Sequence, residues 1–207
     1  DPNDRRGFAD PNGRVQQPAV GGETVFVGAD RLWAIDANLW AGQEVVWTSP
    51  DVFNVTAPPV YASPGVVKLA ELYVADNSGT VHALDANTGV RFWTHSFGAT
   101  VTALAVNDSS VFIAGNGVLR AVSRRDGSTQ WTLPVGGNIV GGPLVTNSRG
   151  LLVLQSGGIF LIDAVTGGIL DAAQSVLAEV PGGPAVSGLQ VLIPATNATL
   201  YAYRGAP

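Results

Sequence analysis

The 207-residue chain has no cysteine and no methionine. The first absence excludes disulfides, thiolate metal sites and cysteine nucleophiles, and it removes cysteine pairing as a guide to redox compartment. The second, together with a start at Asp1, leads to the expectation of a processed or excised segment whose signal peptide, lipid anchor or membrane span falls outside this sequence. Lysine occurs once, as Lys68, and histidine twice, as His82 and His95. With a formal charge of −5 and a pI of about 4.8 there is no basic track to follow a phosphate backbone, which excludes nucleic acid as the main partner. Charged residues make up only 13% against 46% hydrophobic, so a single compact domain is expected rather than a disordered chain. Long apolar runs are missing too, and none approaches the roughly 20 residues of a spanning helix.

What the chain does have is glycine, and short β-branched runs that recur. Thr24 to Gly28 (TVFVG), Leu72 to Asp76 (LYVAD), Val111 to Gly115 (VFIAG), Leu151 to Gln155 (LLVLQ) and Val191 to Ala195 (VLIPA) begin 48, 39, 40 and 40 residues apart. A period of this size signals a repeat architecture. After a turn rich in Gly, Asn, Asp or Ser, each run is followed by a second: RLWAID, TVHALD, VLRAVS, GIFLID and TLYAYR. Such pairs read as β-hairpins. Proline-marked runs precede four copies, at Gln17 to Val20, Pro58 to Val60, Gly142 to Val145 and Gly183 to Val186, and Thr102 to Val106 takes that place in the third.

A fourth element is the most specific. In ALDANTGVRFW (Ala83 to Trp93), Asp85, Thr88, Gly89 and Trp93 stand two, five, six and ten residues after the alanine. AVSRRDGSTQW repeats the spacing with Gly127 and Trp131, Ser123 replacing Asp and Asp126 replacing Thr. LIDAVTGGILD keeps Asp163, Thr166 and Gly167 but has Asp171 at the tryptophan position, and the first copy has Asp36 and then about three extra residues before Trp47. Glycine supplies a turn residue with positive φ, the short polar side chains bond the turn backbone, and the tryptophan on the next strand packs against the neighbouring repeat.

The pattern A-x-D-x-x-T-G-x-x-x-W resembles the tryptophan-docking motif of the quinoprotein-type (PQQ-like) repeat propellers, from about Arg14 to Arg204. The resemblance implies an all-β fold, a five-bladed β-propeller of four-stranded antiparallel blades, with repeats at about 14–49, 54–98, 100–135, 139–174 and 180–204. The fifth copy supplies three strands, so residues 5–9 are expected to pair with Thr199 to Tyr203 as the closing strand. Quinone-dependent dehydrogenases of the family are implied to use larger rings, a calcium ion, a catalytic aspartate and often a vicinal cysteine pair. Five repeats without cysteine do not match them. No catalytic residue, cofactor or metal is therefore expected. Non-enzymatic members are implied to act as extracytoplasmic scaffolds, such as the propeller lipoprotein of the bacterial outer-membrane barrel-assembly machine, or as sensor domains. A periplasmic or extracellular bacterial domain that recognises an unidentified protein partner is the favoured reading; a five-bladed glycan-binding lectin is the alternative.

Other chemistry finds little support. There is no G-x-S-x-G elbow and no D-x-D-x-D-G calcium loop, and Asp76 to Gly79 (DNSG) reads as a hairpin turn. The sequons at Asn54, Asn107 and Asn197 read as turn triplets. His82 shares a repeat position with Trp33, Arg120, Phe160 and Tyr201. This is expected to be a blade-surface slot that has drifted, since a repeat lectin would keep one chemistry in every copy. Two insertions stand out, Tyr61 to Glu71 and Asn38 to Gln43. As a first-to-second and a third-to-fourth strand connection in adjacent blades, they should share one face of the disc. That makes Trp40, Tyr61, Lys68 and Leu69 the candidate partner-binding residues.

Overall fold

Runs of four to six apolar residues bounded by turn formers are too short for a helical stripe, and each becomes a strand. The computed structural model describes residues 15–38, 45–64, 69–139, 142–145, 149–153, 158–174, 180, 185–187 and 190–204, and among these there are strands and no helix. The first sheet runs β1 (Ala19–Gly21), β2 (Thr24–Gly28), β3 (Arg31–Asp36) and β4 (Val45–Phe53). The second holds β5 (Val60–Ala62), β6 (Glu71–Ala75), β7 (Thr80–Asp85) and β8 (Arg91–Ser96), and the third β9 (Ala103–Val106), β10 (Ser110–Gly115), β11 (Val118–Ser123) and β12 (Thr129–Pro134). A fourth comprises β13 (Leu144–Val145), β14 (Arg149–Val153), β15 (Gly158–Asp163) and β16 (Ile169–Gln174). The fifth has β17 (Ala185–Ser187), β18 (Gln190–Pro194) and β19 (Leu200–Arg204). Each is an antiparallel meander in chain order, hence one propeller blade per repeat. The expected closing segment, 5–9, lies outside the described residues.

The core sits between blades rather than within one. Inner strands adjoin in succession, β1 beside β5, β5 beside β9 and β9 beside β13. Phe26, Leu32 and Ala34 of blade one meet Leu72, Val74 and Leu84 of blade two, while Tyr73, Ala83 and Trp93 meet Val111, Ile113 and Val122 of blade three. Phe112, Leu119 and Ala121 then meet Ile162 and Ala164 of blade four. A blade with a neighbour on each side buries both faces of its middle strands. This is why β6 and β10, buried throughout, read as continuous apolar runs instead of alternating ones.

Candidate functional site

The motif builds the seams between blades. Gly89, Gly127 and Gly167 adopt φ of +72°, +73° and +75°, and their amides donate to the carbonyls of Asp85, Ser123 and Asp163. The Asp85 and Asp163 carboxylates accept from the amides two and three residues on. Asp126 accepts from the Ser128 amide as Thr88 does from Val90, so the exchange of Thr for Asp preserves the turn bond. Trp47 Nε1 donates to the Ala86 carbonyl at 3.1 Å, Trp93 to Arg124 at 2.8 Å and Trp131 to Ala164 at 3.2 Å. A Cβ on Gly89, Gly127 or Gly167 would meet the ring of Trp47, Trp93 or Trp131 within 2.7 Å, so each glycine leaves the space its tryptophan fills. Within a blade the tryptophan also contacts one aromatic ring, Phe26, Tyr73 or Phe112, at centroid distances of 5.8–6.0 Å.

A buried ion pair reinforces the second seam. Arg124 donates to Glu71 Oε2 from Nε at 2.9 Å and from Nη2 at 2.7 Å, and Tyr73 donates its hydroxyl to the same oxygen at 2.7 Å. Arg124 Nη1 caps the Asn107 carbonyl at 3.0 Å. Burial, and then the bond to Glu71, push the Tyr73 phenol well up. For Arg124 burial works against the charge, but the bonds to Glu71 and Tyr73 outweigh it and raise its pKa. These groups couple two blades through a single carboxylate oxygen. Residues 71 and 124 belong to different repeats, so no sequence spacing pointed to the pair.

The slot expected on the blade surface turns inward. Three of its residues project toward the preceding blade: His82 is buried against blade one, Arg120 lies 5.0 Å over the Phe97 ring of blade two, and Phe160 packs in the cluster between blades three and four. Their variety follows the different shapes of the seams. His82 Nε2 bonds Asp76 Oδ2 at 2.8 Å, while Asp76 Oδ1 accepts from the amides of Ser78 and Thr80 in the β6–β7 turn. Burial raises the Asp76 carboxyl, but the hydrogen bonds from Ser78, His82 and Thr80 together hold it below its ordinary value. His95 donates from Nδ1 to the Gly127 carbonyl at 2.9 Å and accepts from Arg120 at Nε2 at 3.2 Å. Burial first, and then Arg120, lower its pKa against the opposing bond to Gly127.

One face of the disc stands apart. Connections from first to second and from third to fourth strand meet there, joined by bonds from Ala37 N to Glu23 O, Ala86 N to Ala70 O and Arg124 N to Ser109 O. Nine of the twelve large exposed hydrophobic residues among the described ones lie at this face: Val20, Val45, Val46, Leu69, Val90, Phe92, Val165, Ile169 and Leu170, each 40–69% exposed. Seven acidic residues, Glu23, Asp36, Asp85, Asp108, Asp126, Asp163 and Asp171, share it with Arg91, Arg125 and Arg149. Hydrogen bonds from Ser128 hold Asp126 below its ordinary value, and backbone bonds from Thr166 and Val165 do the same for Asp163.

Of the four candidate partner-binding residues, Leu69 is exposed on this face, while Trp40 and Lys68 lie outside the described residues. Tyr61 departs from the expectation that it projects from a connection. It is on β5, half-buried, stacked on Phe26 at 5.9 Å over Gly21, whose missing side chain makes the room. The exposed apolar residues Val45 and Val46, Val90 and Phe92, and Ile169 and Leu170 are not singled out by the repeat motif, although they stand just before its last position, Trp47, Trp93 and Asp171. Among the described residues no cluster of potential metal ligands occurs, and no helix is long and apolar enough to cross a membrane.

The family model described as outer membrane protein assembly factor BamB matches residues 30–206. The chain is similar to the outer membrane protein assembly factor BamB of Moranella endobia (strain PCIT), with 31% identity over 153 residues, 68% of this chain and 38% of that protein. BamB from Moraxella catarrhalis superposes with a TM-score of 0.73 at 18% identity, covering 91% of this chain and 57% of that one. The computationally designed Ika8 protein gives 0.78 at 17% identity, over 93% and 58%. The Cps50 (Swd1) β-propeller domain of Myceliophteria thermophila gives 0.73 at 15% identity, over 92% and 65%. The chain thus spans well under two thirds of the relative it matches in sequence.

Proposed function

Because the chain belongs to the outer membrane protein assembly factor BamB family, we propose that it is a non-catalytic, extracytoplasmic bacterial propeller that binds a protein partner of the outer-membrane assembly apparatus. The observation that carries this reading is the single face that gathers most of the exposed large hydrophobic residues, edged by carboxylates. A monomeric surface rarely concentrates apolar side chains in this way unless something covers them. The complementary partner has an apolar surface bordered by Lys or Arg, whose charges meet the motif aspartates and speed encounter. A repeat lectin with an equivalent site in every blade is less well supported, because the slot carries a different side chain in each repeat. In cells that make the protein, Phe92→Glu combined with Leu170→Glu should cut co-purification of its envelope partner by about tenfold or more, as for central interface residues. Leu200→Glu, at the other end of the strands, should leave it unchanged. Equal recovery with all three proteins, each with the parent melting temperature, contradicts the reading.

A further inference from the structure

Blade one departs from the others in its outer strand. While β3 advances from Arg31 to Trp33, the facing positions on β4 run from Phe53 back to Thr48, so residues 49–52 bulge from the ladder. Bulges of this kind re-aim side chains beside functional sites. Here the bulge faces β7 and the turn into β8, and the two sides enclose a cleft of about 280 Å³ between blades one and two. Thr48 and Asp51 line one side, Thr88 and Arg91 the other, with Leu84 and His82 contributed by β7.

Two features make this cleft a built site. His82 is more than nine-tenths buried, its Nε2 proton is committed to the Asp76 carboxylate, and its Nδ1 is sealed from solvent with no hydrogen-bond partner. In that tautomer Nδ1 is an acceptor, and a buried acceptor left unmade is costly. At the rim, Arg91 Nη1 and Asp51 Oδ2 pair at 3.2 Å across the two blades. An anion entering here meets Asp51 and a cation meets Arg91, whereas a hydroxyl can donate to the carboxylate and accept from the guanidinium. We propose that the cleft binds a neutral polyhydroxylated ligand of mono- to disaccharide size, one hydroxyl of which donates to His82 Nδ1 after a small movement of the cleft wall. Among the described outer strands only that of blade one carries a bulge of this size, and only the second repeat has histidine in the slot. Val90 and Arg91 at the cleft rim also belong to the exposed apolar face, so the cleft borders the protein-binding surface.

The test follows the imidazole nitrogens of the whole ¹⁵N-labelled chain by NMR while glucose, N-acetylglucosamine, maltose or sodium acetate is added. The expected result is a saturable shift of His82 Nδ1 with at least one of the sugars and none with acetate. His82→Gln keeps a donor for Asp76 and places no acceptor at the Nδ1 position. It should weaken sugar binding about tenfold, the scale of one buried hydrogen bond. Asp51→Asn with Arg91→Gln alters only the exposed rim, and should weaken binding similarly in a chain that keeps the parent melting temperature. Absence of a shift with every sugar, a response to acetate, or full affinity in the folded rim variant overturns the proposal.

Discussion

Trp93 combines every element of the seam: a ring 9% exposed, a hydrogen bond to the Arg124 carbonyl, an aromatic neighbour in Tyr73 and a bare glycine beneath it. Trp93→Ala should destabilise the fold by about 3–5 kcal/mol in urea titration, the range for large buried aromatics. A loss below about 1 kcal/mol would mean the ring does not lock the blades. Gly127→Ala forces a Cβ into that ring at positive φ and should cost about 1–3 kcal/mol. Arg124→Met leaves the Glu71 carboxylate buried without its partner and should cost about 3–5 kcal/mol, much of it recovered when Glu71→Leu is added. Additive losses in the double variant would contradict that account. His95 provides a pH dependence. Its native pKa is depressed, so the unfolded chain takes up the proton first; the stability its neutral form contributes is complete above the ordinary value near ~6.5 and declines as pH falls through the lowered native value. The drop in urea midpoint from pH 7.5 to 5.5 should therefore be smaller in His95→Gln than in the parent. An equal drop assigns the dependence to other groups.

At the scale of strands and blades, stability should be graded along the chain. Blades two and three have neighbours on both sides and carry the buried strands β6, β7, β10 and β11, whereas blade four has Asp171 in place of a docking tryptophan and the described part of blade five has three strands. Amide exchange should be slowest in β6 and β10 and fastest in β17–β19, since exchange follows local burial. Protection in β18 equal to that in β10 would show that the ring opens as one unit. The recurrence every 39 to 48 residues and the A-x-D-x-x-T-G-x-x-x-W pattern made the blades, hairpins and seam tryptophans legible, because turn chemistry and periodicity are local. The orientation of His82 was not legible: in a strand buried on both faces, polarity no longer tells which side a residue takes. Tyr61 was misread because its strand is only three residues long and its place is set by Gly21, on another blade.

For the whole molecule, the repeats make the two faces of the disc chemically unequal. The face of first-to-second and third-to-fourth connections holds the motif turns, their aspartates and most of the exposed large hydrophobic residues, Leu69 among them. The opposite ends of the strands expose only Val15 and Leu200 among such residues in the described chain. That first-to-second and third-to-fourth connections share one face follows from meander topology and could be anticipated; that apolar positions there are uncovered could not, since sequence does not reveal what a side chain fails to touch. The central claim is that this face is where a partner protein docks. A benzophenone amino acid placed in turn at Phe92, Leu170, Val15 and Leu200 and irradiated in cells tests it directly. The account predicts one common envelope-protein adduct from Phe92 and Leu170 and none from Val15 or Leu200; adducts confined to Val15 and Leu200, or absent from all four positions, would contradict it.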